Sequence, residues 1–232
     1  MNRSIYRLAL IAIALCIAGL MPFELMAHGV DENTRYFLQN NSGVQFIAFM
    51  YIGAKHMVTG YDHLFFLAGV IFFLYKSRDI LLYVSMFTLG HSVTLLLGVL
   101  WDIQVNAYLI DAIIGLSVVY KGFDNLGGFN RTLGYTPNPK AAVLIFGLFH
   151  GFGLATKLQE FQLPQEGLLT NLIAFNLGVE VGQLIALAFI LLIISFWRKH
   201  PTFKQFSTTT NTLLMSAGFM LMGFQLTGYF IN

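Results

Sequence analysis

The chain has 232 residues, of which 56% are hydrophobic and only 10% are charged. A soluble domain carries about 25% charged residues, so the composition excludes a water-soluble globule and indicates an integral membrane protein. The net charge of +2 gives no indication of a nucleic-acid partner, because the cations are scattered singly among loops, and we expect none. The only cysteine, Cys16, excludes disulfides and thiolate metal sites.

The N-terminus has the pattern of a secretory signal peptide. Arg3 and Arg7 precede an apolar stretch, and Ala27 ends a cleavage motif. We therefore expect residues 1–27 to be removed and residues 28–42 to form a short periplasmic segment. The alternative is that the apolar stretch remains attached as an uncleaved first membrane helix.

The rest of the chain, residues 43–232, is predicted to be a single transmembrane domain. An amphipathic segment at 43–59 leads into a series of apolar runs, each long enough to cross a bilayer as a helix. We therefore predict an all-α, polytopic transmembrane helix bundle. Its six predicted spans are 61–76, 79–100, 104–121, 141–157, 168–197 and 207–231.

Lysine and arginine residues collect in alternate loops. Arg35, Lys55 and Lys157 lie on one side of the predicted membrane. The other side carries eight cations: Lys76, Arg78, Lys121, Arg131, Lys140, Arg198, Lys199 and Lys204. The positive-inside rule makes this second side cytoplasmic and places both termini outside. We expect a multi-pass protein of the bacterial cytoplasmic membrane, N-out and C-out.

Polar side chains lie within these spans or at their mouths. Each ionised acid at membrane depth costs about 2.5–3.5 kcal/mol, so these groups must face one another, a cation or water. Isolated groups that pair locally and hold helices together are the alternative. The set runs from the outer surface to the bilayer centre, which predicts a cavity open to the periplasm. Its members are His56, Asp62, His63, His91, Asp111, His150 and Glu180.

Imidazole and carboxylate side chains together favour a transition metal. They suit nickel, zinc, copper or iron, whereas an all-oxygen set would suit magnesium or calcium. His56 and His63 are seven residues apart and share a helix face where the helix is continuous, but Gly60 interrupts the segment. The sequence therefore predicts a site for a divalent transition-metal ion.

Glycines flank two of these residues, His150 and Glu180. Small residues four apart let membrane helices approach closely, which we expect to happen beside these side chains. Asn176 and Gln183 share the helix face of Glu180, where they could line the cavity or donate hydrogen bonds to the site. Simple helix packing is the alternative, and the glycine-rich faces also permit a homo-oligomer.

Four motifs carry most of the polar residues of the spans: HMVTGYDHLFFL, FTLGHSVTLLLG, FGLFHGFGLA and AFNLGVEVGQL. They resemble, in the same order, motifs of the HupE/UreJ family of bacterial membrane proteins, and the similarity covers about residues 45–195. Members of that family are associated with hydrogenase and urease maturation, and some are described as nickel or cobalt permeases. The resemblance implies a nickel- or cobalt-handling membrane protein with metalloenzyme maturation proteins as partners.

The resemblance also implies which residues handle the metal. In nickel members the fourth-span motif is longer, FHGxxHGxE, whereas this chain reads FHGFGLATK, with Leu154 and Lys157 in place of the second His and the Glu. The positions that match the family are His56, Asp62, His63, His91, His150 and Glu180.

Two main functions are open, with a structural or accessory subunit as a third. The first, which we favour, is a metal permease without a nucleotide-binding loop, driven by the membrane potential, by a proton gradient or by simple facilitation. The second is an intramembrane metalloenzyme, a hydrolase or oxidoreductase that uses zinc, iron or copper to activate water or oxygen. Ligands strung along a path indicate transport, whereas a compact, closed cluster indicates catalysis.

Overall fold

The computed structural model describes residues 36–38, 41–160 and 163–231. All regular secondary structure in this part of the chain is helical, without a strand, which confirms the all-α prediction. The predicted signal peptide, 1–27, lies outside the described residues, as does most of the segment 28–42. The helices are α1 (Phe46–Thr59), α2 (Tyr61–Ile71), α3 (Ser77–Leu100), α4 (Ala107–Asn125), α5 (Gly128–Leu133), α6 (Pro139–Gln159), α7 (Leu168–Arg198) and α8 (Thr202–Ile231).

Four of these helices, α3, α6, α7 and α8, are long and apolar enough to cross a membrane. A multi-pass membrane protein is therefore the class that the described helices support. The helices α1 and α2 are too short to cross separately, with 14 and 11 residues. At 1.5 Å per residue they rise about 21 and 17 Å, against a hydrocarbon core of roughly 30 Å.

Local sequence sets several helix ends. The side chain of Asn106 accepts a hydrogen bond from the backbone of Leu109 and starts α4. Asn138 does the same for two backbone N–H groups at the start of α6, where Pro139 follows at a position that needs no donor. The segment 122–140, between the third and fourth predicted spans, contains the end of α4, the short helix α5 and the start of α6.

The helices α1 and α7 form a tightly packed pair. A Cβ on Gly178 would overlap the carbonyl oxygen of Met50, and one on Gly182 would lie 2.5 Å from the carbonyl oxygen of Ala54. From the first contact to the second, the residue number increases by four in both helices, so α1 and α7 run parallel. Because only glycine leaves room for this approach, the two backbones touch directly.

The helices α3 and α6 form a second parallel pair. A Cβ on Gly147 would overlap the carbonyl oxygen of Phe87, and one on Gly151 would overlap that of His91. A histidine of α3 therefore lies in register with a glycine one residue from His150. This close approach brings two histidine-bearing segments together near the middle of both helices.

The third pair, α4 and α8, runs antiparallel. A Cβ on Gly115 would lie 2.7 Å from the backbone nitrogen of Met222, and one on Gly122 would lie 2.5 Å from the side chain of Met215. The short helix α2 lies among the three pairs and contacts α1, α3, α4, α7 and α8. Its position makes α2 the centre of the bundle.

The helices α1 and α2 form one broken helix. The break is Gly60, whose φ of −74° and ψ of 107° are extended. Past the break, α2 continues alongside α7 until Arg198, at the end of α7, donates hydrogen bonds to the carbonyls of Ile71 (2.5 Å) and Phe72 (2.7 Å). At 1.5 Å per residue α1, Gly60 and α2 together rise about 39 Å, which exceeds the thickness of the hydrocarbon core.

The broken helix therefore differs from the span predicted at 61–76. The helix ends at Ile71, and its first half is α1, which was predicted as an amphipathic lead-in. Hydropathy alone marked the more apolar half, because the glycine break and the polar residues beside it interrupt the apolar run. The same difference moves Asp62 and His63 from the predicted outer end of a span to the middle of a broken helix.

Arg198→Gln is expected to destabilise the protein. The guanidinium bonds two terminal carbonyls of the central helix and lies 4.3 Å from the ring centre of Tyr75. A hydrogen bond to a charged group contributes about 1.5–3 kcal/mol, so we expect a lower midpoint of thermal unfolding in detergent. Lys204→Gln, an exposed cation near the same end of the bundle, is the control and should leave the midpoint unchanged. Equal midpoints for the two variants would contradict this role.

Candidate metal centre

His63 is the centre of a cluster of four histidines. Its ring centre lies 5.1 Å from that of His56, 6.0 Å from that of His91 and 4.9 Å from that of His150. His63 is 1% exposed, and His91 and His150 are 0% exposed, while His56 is partly buried. Imidazoles from α1, α2, α3 and α6 thus converge inside the bundle.

The break at Gly60 positions two of these rings. His56 precedes the break at the end of α1, and His63 follows it in the first turn of α2. A Cβ on Gly60 would lie 2.8 Å from Nδ1 of His63 and 3.1 Å from Oδ1 of Asp62. Glycine is therefore needed here because any side chain would press on the site.

The α3–α6 pair positions the other two rings. His91 and His150 lie near the middle of their helices, where Gly151 allows the backbones to meet. The ring of Phe87 packs against the ring of His150 at 4.9 Å between centres and against that of His63 at 6.2 Å. Phe66 packs on His150 at 5.6 Å. These aromatic walls keep the imidazoles in an apolar, enclosed setting.

Asp62, His63 and His150 lie close enough to share one ion. Each offers a ligand atom, and these atoms all lie within 4.8 Å of one another. Metal bonds of about 2.0–2.2 Å to nitrogen and oxygen hold two ligands of one ion at most about 4.4 Å apart. The separation of the three atoms is therefore close to what one bound ion requires.

Asp62 is hydrogen-bonded to its neighbour. Its Oδ1 lies 3.0 Å from Nδ1 of His63, and Asp62 itself is only 1% exposed. A carboxylate accepts at this distance, so the hydrogen lies on Nδ1 and Nε2 of His63 carries the lone pair for a metal. Carboxylate–histidine–metal chains of this kind orient the ring and raise its basicity. Asp62 can thus act through His63 as well as by direct ligation.

Residues 32–232 match the family model described as HupE / UreJ protein. The match covers most of the chain. This protein belongs to the HupE / UreJ family. No curated protein and no solved structure matches the chain significantly. The family that the four motifs resemble is therefore confirmed.

Asp111 lies next to the histidine cluster of this HupE / UreJ protein. It is 5% exposed on α4, and its Oδ1 would be 3.5 Å from a Cβ on Gly153, one turn along α6 from His150. It is not part of the group formed by Asp62, His63 and His150. Asp111 therefore lies near the group without being one of its members.

Glu180 lies apart from the cluster. Its side chain is exposed and lines a groove between α3 and α7 with Ser85, Thr88 and Ser92. The glycines beside Glu180 face α1, so the close approach they permit is on another face of α7 from the carboxylate. The expectation that these glycines bring Glu180 inward is not met in this HupE / UreJ protein.

Gln183 separates the groove from the cluster. It is 1% exposed, and the hydroxyl of Thr88 donates a 2.7 Å hydrogen bond to its Oε1. Gln183 also lines a cavity of about 10 Å³ against His63, room for about one water. The rest of that lining is mainly apolar: Met57, Phe66, Leu67, Val70, Tyr83, Val84, Phe87 and Val143.

Ser117 was not singled out from the sequence of this HupE / UreJ protein. It lies on α4, is 0% exposed, and its Oγ is 3.3 Å from Nε2 of His150. The sequence signal for Ser117 was its hydroxyl in an otherwise apolar stretch. That signal is weak because serine in a membrane helix usually bonds its own backbone.

Proposed function

We propose that this protein is a multi-pass permease that carries a divalent transition-metal ion, nickel or cobalt, across the bacterial cytoplasmic membrane. The observation that carries the proposal is the buried group of Asp62, His63 and His150, which lies beside a broken helix at the centre of the bundle. Membership of the HupE / UreJ family implies a function related to nickel or cobalt transport in general terms. Discontinuous helices with a mid-membrane ion site are typical of secondary transporters.

The proposed topology has six crossings, with both termini outside. The crossings are the broken helix α1–α2 and the helices α3, α4, α6, α7 and α8. Cations at one end of the bundle support this orientation, because Lys76 precedes α3, Lys140 begins α6 and Arg198 ends α7. By the positive-inside rule that end is cytoplasmic.

The ligand set supports a borderline metal. Imidazole nitrogens with one carboxylate suit nickel, cobalt, zinc, copper or iron rather than magnesium or calcium, and the family narrows the choice to nickel or cobalt. Two positions of the longer family motif do not contribute: Leu154 is 1% exposed in the apolar core, and Lys157 pairs with Glu160 at 3.3 Å. The ion would therefore depend on Asp62, His63 and His150.

Passage would require the break to move. His63, His91 and His150 are closed off on all sides in this conformation. The inner end of α2 is tied by Arg198 and by Asn125, which donates a 2.8 Å hydrogen bond to the carbonyl of Gly69. The outer half, α1, packs on α7 instead, so Gly60 is the hinge that opens the group to the periplasm.

The membrane potential can supply the driving force. A single charge gains about 2.3 kcal/mol per 100 mV, so a divalent ion gains about 4.6 kcal/mol on moving inward across 100 mV. An imidazole adds no negative charge as a metal ligand, and Asp62 is the single carboxylate in the group. A site with little negative charge can release the ion again, as conduction requires.

An intramembrane metalloenzyme is the second candidate. The compactness of the Asp62, His63 and His150 group favours it, since a catalytic metal needs about three protein ligands and an open position. The one-water cavity against His63 would hold the attacking water. Transport and catalysis differ in whether the ion crosses the membrane.

The test is metal flux into liposomes that contain the purified full-length protein. Ni²⁺ entry is followed with an enclosed metal-sensitive dye, under an inside-negative potassium diffusion potential. We expect entry to exceed that of protein-free liposomes and to rise with the potential. His150→Ala should abolish the difference, whereas His200→Ala, at an exposed histidine outside the cluster, should retain it.

Two outcomes would overturn the permease. Entry no faster than in protein-free liposomes would exclude metal flux by this protein. One Ni²⁺ or Zn²⁺ held per chain without any flux would point to the metalloenzyme instead.

A further inference from the structure

We infer that Ser117 is a positioning residue that holds His150 in the tautomer with its hydrogen on Nε2 and so directs Nδ1 to the metal. The inference rests on the proposed function, in which His150 binds the ion. Its basis is the geometry of one hydroxyl with two neighbours. The Oγ of Ser117 lies 2.6 Å from the carbonyl oxygen of Ile114 and 3.3 Å from Nε2 of His150.

The position of the hydroxyl hydrogen follows from the shorter contact. Two oxygens 2.6 Å apart repel unless a hydrogen lies between them, and the carbonyl of Ile114 has none to give. The hydroxyl of Ser117 therefore donates to Ile114. A hydroxyl has one hydrogen, so Ser117 can only accept from His150.

The tautomer of His150 follows from the single hydrogen of the Ser117 hydroxyl. Since Ser117 accepts, Nε2 of His150 must be the donor and must carry the hydrogen. A neutral imidazole has one N–H, so Nδ1 is the nitrogen that carries the lone pair. Metal-bound histidines commonly donate their second nitrogen to a neighbouring oxygen in this manner.

The two closest histidines are therefore held in opposite tautomers. His63 donates from Nδ1 to Asp62, whereas His150 donates from Nε2 to Ser117. One oxygen acceptor is charged and the other is neutral. With Ser117 in place of a second carboxylate, both rings are oriented while only one negative charge is added beside the ion.

The surroundings of Ser117 support a fixed role. Ser117 is 0% exposed on α4, and α4 packs against α6, which carries His150. Its hydroxyl is shielded from water in this conformation and donates to Ile114. The acceptor offered to His150 is consequently present before any ion arrives.

The first measurement is the tautomer in the metal-free protein. Full-length protein labelled with ¹⁵N-histidine is examined by NMR at a pH where the imidazoles are neutral, and the His150 signals are assigned by their loss in His150→Gln. We expect wild-type His150 to be protonated on Nε2. In Ser117→Ala we expect a mixture of both tautomers, because the acceptor is gone. Wild-type His150 protonated on Nδ1 would overturn the inference without any variant.

The second measurement is Ni²⁺ affinity by equilibrium dialysis. Loss of such an outer partner typically costs about 10–100-fold in metal affinity, which is the loss expected for Ser117→Ala. Ser216→Ala removes an exposed hydroxyl that also bonds its own helix and should change neither readout. An unchanged tautomer and affinity in Ser117→Ala would overturn the inference. If wild-type protein binds no Ni²⁺, the proposed function fails, whereas the tautomer result stands separately.

Discussion

His63→Ala is expected to lower the Ni²⁺ affinity of the purified protein by at least about 100-fold. The loss of an outer partner of a metal ligand costs up to about 100-fold, and His63 is itself at the centre of the cluster. Its ring contacts those of His56, His91 and His150, and its Nδ1 is bonded to Asp62. The substitution therefore removes a ligand and leaves Asp62 without the imidazole that it orients. Equilibrium dialysis with radioactive nickel in detergent measures the change.

His200→Ala is the matched control for this variant. His200 is exposed at the end of α7, where its Nδ1 lies 2.9 Å from the hydroxyl of Thr202. Its replacement also removes one imidazole but should leave the affinity at the wild-type value. Gel filtration of both variants checks that the fold is retained. If His63→Ala binds Ni²⁺ as tightly as the wild type, His63 is not a ligand.

Gly178→Ala is expected to destabilise the bundle by more than the about 1–3 kcal/mol typical of an overpacked core. A Cβ at this position would overlap the carbonyl oxygen of Met50. Because the obstacle is backbone and not a flexible side chain, α1 must move away from α7. We expect a clearly lower midpoint of thermal unfolding in detergent, followed by circular dichroism.

Gly223→Ala is the control for that substitution. Gly223 lies on α8, and a Cβ there meets nothing within 4 Å. Alanine is a better helix former than glycine by about 0.8–1 kcal/mol, so this variant should unfold at the wild-type midpoint or above it. A midpoint of Gly178→Ala equal to that of Gly223→Ala would mean that direct contact of the α1 and α7 backbones contributes little to stability.

Much of the fold could be predicted because the signals are local in the chain. Hydropathy predicted spans at four positions where the structure has long apolar helices: α3, α6, α7 and α8. The broken first helix was predicted only in part. Gly60 indicated an interruption, but its consequence depends on α7 and α4, which hold the two halves from distant parts of the sequence.

The depth of the candidate site residues along their helices could be predicted, but the direction in which their side chains point could not. His150 and Glu180 lie at similar depth in their predicted spans, yet His150 is 0% exposed and Glu180 is exposed in a groove. The rotation of a helix about its axis depends on which neighbour it packs against. For α7 that neighbour is α1, seated on Gly178 and Gly182, and this contact turns Glu180 away.

The sequence by itself determined the membrane class, the helical fold, the family and the residue types available for a metal. These properties follow from composition, hydropathy and motifs that lie within single segments. Only the tertiary structure decided that His63 is the centre of the cluster, that Glu180 lies outside it and that Ser117 contacts His150. These contacts join separate helices, and their geometry depends on how glycine-rich faces bring backbones together across the bundle.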